Sequence, residues 1–162
     1  MIKKIIKRLI KKYSFLNNYK EYLLWKRRNF SENSPPYIKR EIIKKYIQPN
    51  SIFFETGTYT GEMILHLHKY FTYCYTLEPS NKYFKVSESR LKKIDNKLIV
   101  NDTSENSFEK ILKEIFKQNI KNVLFYLDGH FMGKNSFQGS KDTPIKIELD
   151  IISKKLNNFD NL

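Results

Sequence analysis

Glu55-Thr56-Gly57-Thr58-Tyr59-Thr60-Gly61 follows the apolar run Ser51-Ile52-Phe53-Phe54 and precedes a helical pattern over residues 61–71. A short apolar run, a glycine-bearing turn and a helix together describe the first half of a βαβ unit. Glycine lets the backbone turn sharply and approach a ligand closely. The helix that follows presents backbone N–H groups at its start.

Outward from this turn the pattern repeats. Strands are expected over 51–55, 73–78, 98–100 and 123–127, and helices over 61–71, 80–93, 104–118 and 144–156. The helix over 80–93 should turn Tyr83, Phe84, Val86, Ser87 and Leu91 inward. The helix over 104–118 should bury Phe108, Ile111, Leu112, Ile115 and Phe116. Pro144 suits a first turn, where its missing N–H is not needed. Alternation of this kind implies an α/β fold with a doubly wound, mainly parallel sheet. In such sheets a ligand lies beyond the carboxyl ends of the strands, where the strand order reverses. The residues that end the strands are therefore the informative ones.

Strand one ends in Glu55 and the glycine turn. Strand two ends in Glu78, 23 residues beyond Glu55. An acid about 20 residues past a glycine turn is placed to accept hydrogen bonds from ribose hydroxyls. Strand three runs into Asn101-Asp102-Thr103-Ser104, where an acid adjoins a helix cap and is placed to accept from an adenine amino group. Strand four ends in Asp128-Gly129-His130.

The series Glu55-x-Gly57-x-x-x-Gly61, Glu78, Asp102 and Asp128 resembles the successive motifs of class I S-adenosylmethionine-dependent methyltransferases, over roughly residues 50–156. The resemblance implies a Rossmann-like transferase with S-adenosylmethionine as cofactor. Glu55, Thr56, Gly57, Thr58 and Gly61 would surround the methionine part, Glu78 the ribose, and Asp102 with Thr103 the adenine edge. The wording around Phe53–Glu62, with Leu127-Asp128-Gly129-His130 and Asp142-Thr143-Pro144-Ile145, also resembles methyltransferases of glycan modification, which implies a sugar or other small acceptor. The family often has a further glycine at the position of Tyr59, so this side chain must point away from the cofactor or cover it. Acids at the rim suit a cationic sulfonium. A dinucleotide would prefer the Gly-x-Gly-x-x-Gly spacing that is missing here.

Methyl transfer is an in-line displacement in which the protein mainly positions the acceptor. An alcohol acceptor also benefits from a general base. His130 is the candidate base or positioning residue, with Asp128 shared between cofactor and acceptor; a histidine that only bonds the loop backbone is the plain alternative. No third ligand joins Asp128 and His130 at a telling spacing, so no metal is expected. His66 and His68 read as surface or packing residues. Residues 131–143 read as a loop over the acceptor pocket, or as an ordinary surface loop.

The net charge is +13, but it is unevenly spread. Residues 1–50 hold 14 basic and 3 acidic residues, and the remainder 16 and 14. The near-neutral catalytic part argues against nucleic acid as the main partner, since a phosphate-tracking groove should carry the excess itself. An RNA methyltransferase with a basic N-terminal clamp stays as the alternative, beside a non-catalytic remnant. Ile2, Ile5, Ile6, Leu9, Ile10 and Tyr13 share one helix face, with lysines and Arg8 around the other. Such a helix lies in a membrane interface or packs on the domain or a partner. Ser34-Pro35-Pro36 marks a boundary between a helical extension, 1–36, and the cofactor domain, 37–162. A single cysteine, Cys74, excludes an internal disulfide and suits a cytoplasmic setting. No run approaches the roughly 20 apolar residues that span a bilayer. The family's sheet is longer than the four strands read here. The domain is therefore expected to be incomplete at its C-terminal strands, leaving residues 123–127 as an edge that self-associates or is covered by a partner.

Overall fold

The computed structural model describes residues 2–31, 33–129 and 143–160, with side chains at Tyr13 and from Phe15 onward. The chain forms two compact units, Met1–Lys45 and Tyr46–Leu162. The division falls after Lys45, beyond the Pro35-Pro36 boundary read from the sequence.

In the first unit, α1 (Ile2–Arg27) runs as one helix through the aromatic, basic stretch. Lys26 and Arg27 occupy its last turn, where cations complement the helix dipole. Asn29 and Phe30 then take left-handed backbone angles of +53° and +57° and end it. The Phe30 ring returns to meet Trp25 edge-on at 4.9 Å. The second helix, α2 (Pro36–Lys44), begins with proline in its first turn.

The second unit contains four strands, β1 (Ile52–Thr56), β2 (Tyr73–Leu77), β3 (Lys97–Val100) and β4 (Val123–Leu127), in the order β3-β2-β1-β4 and all parallel. The helices are α3 (Glu62–Leu67), which tightens into a 3-10 turn at His68–Tyr70, α4 (Asn81–Leu91), α5 (Ser104–Lys117) and α6 (Ile145–Ser153). The order steps outward from β1 to β3 and then returns to the other side of β1 for β4. The reversal between β1 and β4 is the topological switch point of a doubly wound sheet.

Alternation along the strands sorts the core. Ile52 and Phe54 join Tyr75, Leu77 and Val123 under Phe108, Ile111, Leu112 and Ile115 of α5 and Ile152 of α6. The Phe54 and Phe108 rings stack at 4.6 Å. Phe53 points to the opposite face, where its ring meets Phe71 at 5.1 Å. On α4, Tyr83, Ser87 and Leu91 are buried as expected, but Val86 is 42% exposed and belongs to the outer side. β4 lies at the edge of the sheet. One of its faces is covered by the chain's own tail: the Phe159 ring packs edge-on against Phe125 at 5.7 Å and against Phe116 at 5.2 Å.

Phe54 is fully buried at the centre of this packing. Phe54→Ala should lower stability by about 3–5 kcal/mol in denaturant unfolding; a loss below about 1 kcal/mol would mean that the core does not depend on this stack.

Candidate functional site

The strand register brings the predicted residues together. Glu55 pairs across the sheet with Thr76 on β2 and Tyr126 on β4, so these three form one row on one face. One step further along the strands, on the same face, the next row is Glu78, Gly57 and Asp128. The ladder continues into that row: Gly57 N–H donates to the Leu77 carbonyl, Asp128 N–H to that of Thr56 and Glu78 N–H to that of Val100. Two carboxylates thus flank a residue with no side chain, above a third acid.

The turn is held from both sides. Gly57 has φ +86°, and a methyl group there would come within 2.8 Å of the Asp128 carbonyl oxygen. Only glycine permits this approach. Gly61, φ +75°, packs against Leu91 and Ser87 of α4. Between them Tyr59 adopts φ +50°, an uncommon conformation for a residue with a side chain. Its N–H donates to Glu78 Oε2 at 2.7 Å. Its ring, 57% exposed, leans on Tyr83 with the centroids 4.3 Å apart. The sequence left open whether Tyr59 points away or covers the turn; it turns toward α4. Strain held by specific partners is a feature of functional turns.

Glu55 is 1% exposed and accepts from the Thr76 hydroxyl at 2.7 Å. The Thr76 proton is committed to Glu55, so the Thr58 hydroxyl donates to Thr76 in turn. Burial pushes the Glu55 carboxyl up to about 8, against the pull of Thr76 and with help from Asp128 and Glu78. Glu78 is also raised by burial, opposed by the N–H groups of Ser80 and Tyr59. Each Glu78 oxygen takes one of these N–H groups, which leaves further lone pairs on both. Asp128 accepts from the Tyr126 hydroxyl at 2.9 Å. Below the rim, burial raises the Cys74 thiol to about 12, which keeps it unreactive at neutral pH.

Asp102 follows β3 at the same end of the sheet, but its carboxylate is engaged at the start of α5. It accepts from Thr103 N–H at 2.8 Å, from Asn106 at 3.0 Å and from the Ser107 hydroxyl. Those hydroxyl and amide donors hold it below the usual carboxylate range. Thr103 is the N-cap residue of α5. Thr56 projects to the opposite face from Glu55 and is not brought to the rim. His66 is exposed and bonds the Glu62 carbonyl, and His68 packs against Asn96, as the sequence suggested. His130 and loop residues 131–142 lie outside the described residues. Among the described residues no group of three or more His, Cys, Asp or Glu is placed so that it could hold a metal ion.

Glu148, on α6, escaped the sequence reading. It is 1% exposed and accepts from the Ser104 hydroxyl at 2.6 Å. Burial raises its carboxyl, opposed by the Ser104 hydroxyl. Thr56 Oγ1 is buried with no hydrogen-bond partner. The only sequence signal for Glu148 was its place one turn after Pro144.

A glycine turn at the switch point of a doubly wound parallel sheet, rimmed by acids, is the arrangement of a Rossmann-like fold. Neither a protein-family model nor a curated protein sequence matches the chain. Solved structures do. An rRNA methylase from Streptococcus thermophilus aligns with a TM-score of 0.50 at 18% identity, over 79% of this chain and 66% of that one. A protein from Streptococcus mutans, described as a methyltransferase and solved in complex with SAH, aligns with a TM-score of 0.53 at 14% identity, over 80% of this chain and 68% of that one. The fold is that of Rossmann-like methyltransferases. The chain spans about two-thirds of the length of these proteins.

Two measurements check the site. Gly57→Ala meets backbone and a left-handed angle together, so it should cost more than about 2 kcal/mol. Gly61→Ala shares the left-handed angle but meets side-chain atoms of Leu91 and Ser87 rather than backbone, so it should cost less; the reverse ranking would contradict the pinned turn. The folded protein also holds a proton on Glu55 between the ordinary 4.5 and about 8, where the unfolded chain has released it. Stability from this group is therefore complete below the lower value and is lost as pH rises through the upper one. Glu78 and Glu148 shift in the same direction. The Tm should fall across this window, and less steeply in Glu55→Gln. A wild-type Tm that climbs there, or an unchanged slope in the variant, would count against a protonated Glu55.

Proposed function

We propose that the second unit binds S-adenosylmethionine over the carboxyl ends of β1, β2 and β4 and methylates an oxygen of a sugar or other small acceptor. The observation that carries this reading is the row Glu78-Gly57-Asp128, in which a side-chain-free turn sits between two acids at the topological switch point. The residues suit the cofactor chemically. Glu78 retains lone pairs for ribose hydroxyls, Gly57 lets the turn pack down onto the end of β4, and Asp128 beside it suits a nearby cation. When bound, the cofactor supplies an electrophilic methyl group on its sulfonium. Asp128 stands where it would orient the acceptor, and His130, two residues on, is the proposed base. The solved relative in complex with SAH supports the choice of cofactor, and the sequence resemblance supports the choice of acceptor.

The acid rim also favours an uncharged acceptor over a polyanion, because clustered carboxylates repel phosphates. The second reading, RNA methylation, draws on the neighbour described as an rRNA methylase and on the basic N-terminal unit.

Calorimetric titration with S-adenosylmethionine tests the binding. Glu78→Ala removes the ribose acceptor and leaves the Tyr59 and Ser80 N–H groups without theirs, so affinity should drop at least about tenfold. Glu78→Gln, which keeps one of the two acceptor oxygens, should lose less. Equal affinity in wild type and Glu78→Ala, with both folded, removes Glu78 from the binding site. Methyl transfer from labelled cofactor should reach a saccharide acceptor rather than RNA; labelled RNA would favour the second reading.

A further inference from the structure

The apolar stripe first read over residues 2–13 does not stop there. At 3.6 residues per turn, Ile2, Ile6, Leu9 and Tyr13 are continued by Leu16, Leu23 and Leu24 along the same side of α1, with Lys20 interrupting the apolar positions between Leu16 and Leu23. The described part of this side is open: Tyr13 is 76% exposed, Leu16 54%, Leu23 37% and Leu24 44%. The helix does use other aromatic residues for its own packing. Trp25 and Tyr22 hold the Phe30 ring at 4.9 and 6.3 Å, away from the stripe. The exposed stripe is thus separate from the helix's own terminal cluster.

Charge identifies the occupant. α1 carries nine basic residues and one acid, Glu21. A second copy would set these cations against one another along the seam, where helix pairs ordinarily place opposite charges. A nucleic acid would satisfy the cations but leave the leucines in water. A bilayer rich in anionic lipid meets both needs at once, with apolar residues in the acyl boundary and lysines at the headgroups. No helix among the described residues is long and apolar enough to cross a membrane, so bilayer contact through α1 would be made in the interface plane. We infer that α1 is a membrane-surface anchor selective for anionic lipid. This inference is independent of the methyl-transfer reading.

Co-sedimentation of the full chain with vesicles tests it. The chain should pellet with phosphatidylcholine vesicles containing phosphatidylglycerol but not with phosphatidylcholine alone, and added salt should weaken the binding. The combined variant Leu16→Glu, Leu23→Glu and Leu24→Glu should lose at least about tenfold in vesicle affinity. These side chains are exposed, so the thermal transition should be retained. Lys11→Glu with Lys12→Glu, which leaves the stripe whole, should also weaken binding to the anionic vesicles. Failure to pellet with anionic vesicles, native binding in the leucine variant, or preference for single-stranded RNA over vesicles would overturn the inference. So would a stable dimer lost on substituting the leucines, because a second copy would then occupy the stripe. None of these outcomes bears on cofactor affinity, which the calorimetry reads separately.

Discussion

The close approach of the Gly57 backbone to the Asp128 carbonyl is the constraint on which the site depends. β1 and β4 come from distant parts of the chain, and the sheet places them side by side. Only a residue without Cβ lets the turn after β1 fold down against the end of β4. That contact, with the Tyr59 N–H on Glu78, ties the turn to both neighbouring strands. The acids of β1, β2 and β4 consequently reach the same rim on the same face.

Burial sets the chemistry of Glu55 and Glu78. An acid in this position is costly as a carboxylate, and Glu55 responds by holding its proton to about 8. Cationic ligand binding at the rim would reverse that preference, coupling proton release to occupancy. Glu148 shows that burial alone is not a functional signature. It is as deeply buried as Glu55, yet it sits beneath the sheet with Ser104, joining α6 to the start of α5. The face on which an acid lies separates the two cases.

The two units divide the physical labour by composition. The first carries most of the excess positive charge, while the second has 16 basic and 14 acidic residues and forms the sheet. The acidic rim belongs to the second unit and the strongly basic helix to the first.

The order of elements was legible because strand and helix periodicities differ, and βαβ handedness leaves few layouts. Glu55, Gly57, Glu78 and Asp128 were legible because parallel strands present their ends at one edge. The sequence could not reveal that Asp102 is engaged by three donors at the start of α5, because Asn106 and Ser107 become its partners only once the helix has formed. Nor could it place Thr56 on the far face while its neighbours Glu55 and Gly57 share the near one, since the frame of the pleat is set by pairing between strands. It missed Glu148 because the meeting with Ser104 spans 44 residues. Local pattern thus determined which elements exist and what ends them; contacts between distant segments decided which side chains face the rim, which are spent on structure, and which acid keeps its proton.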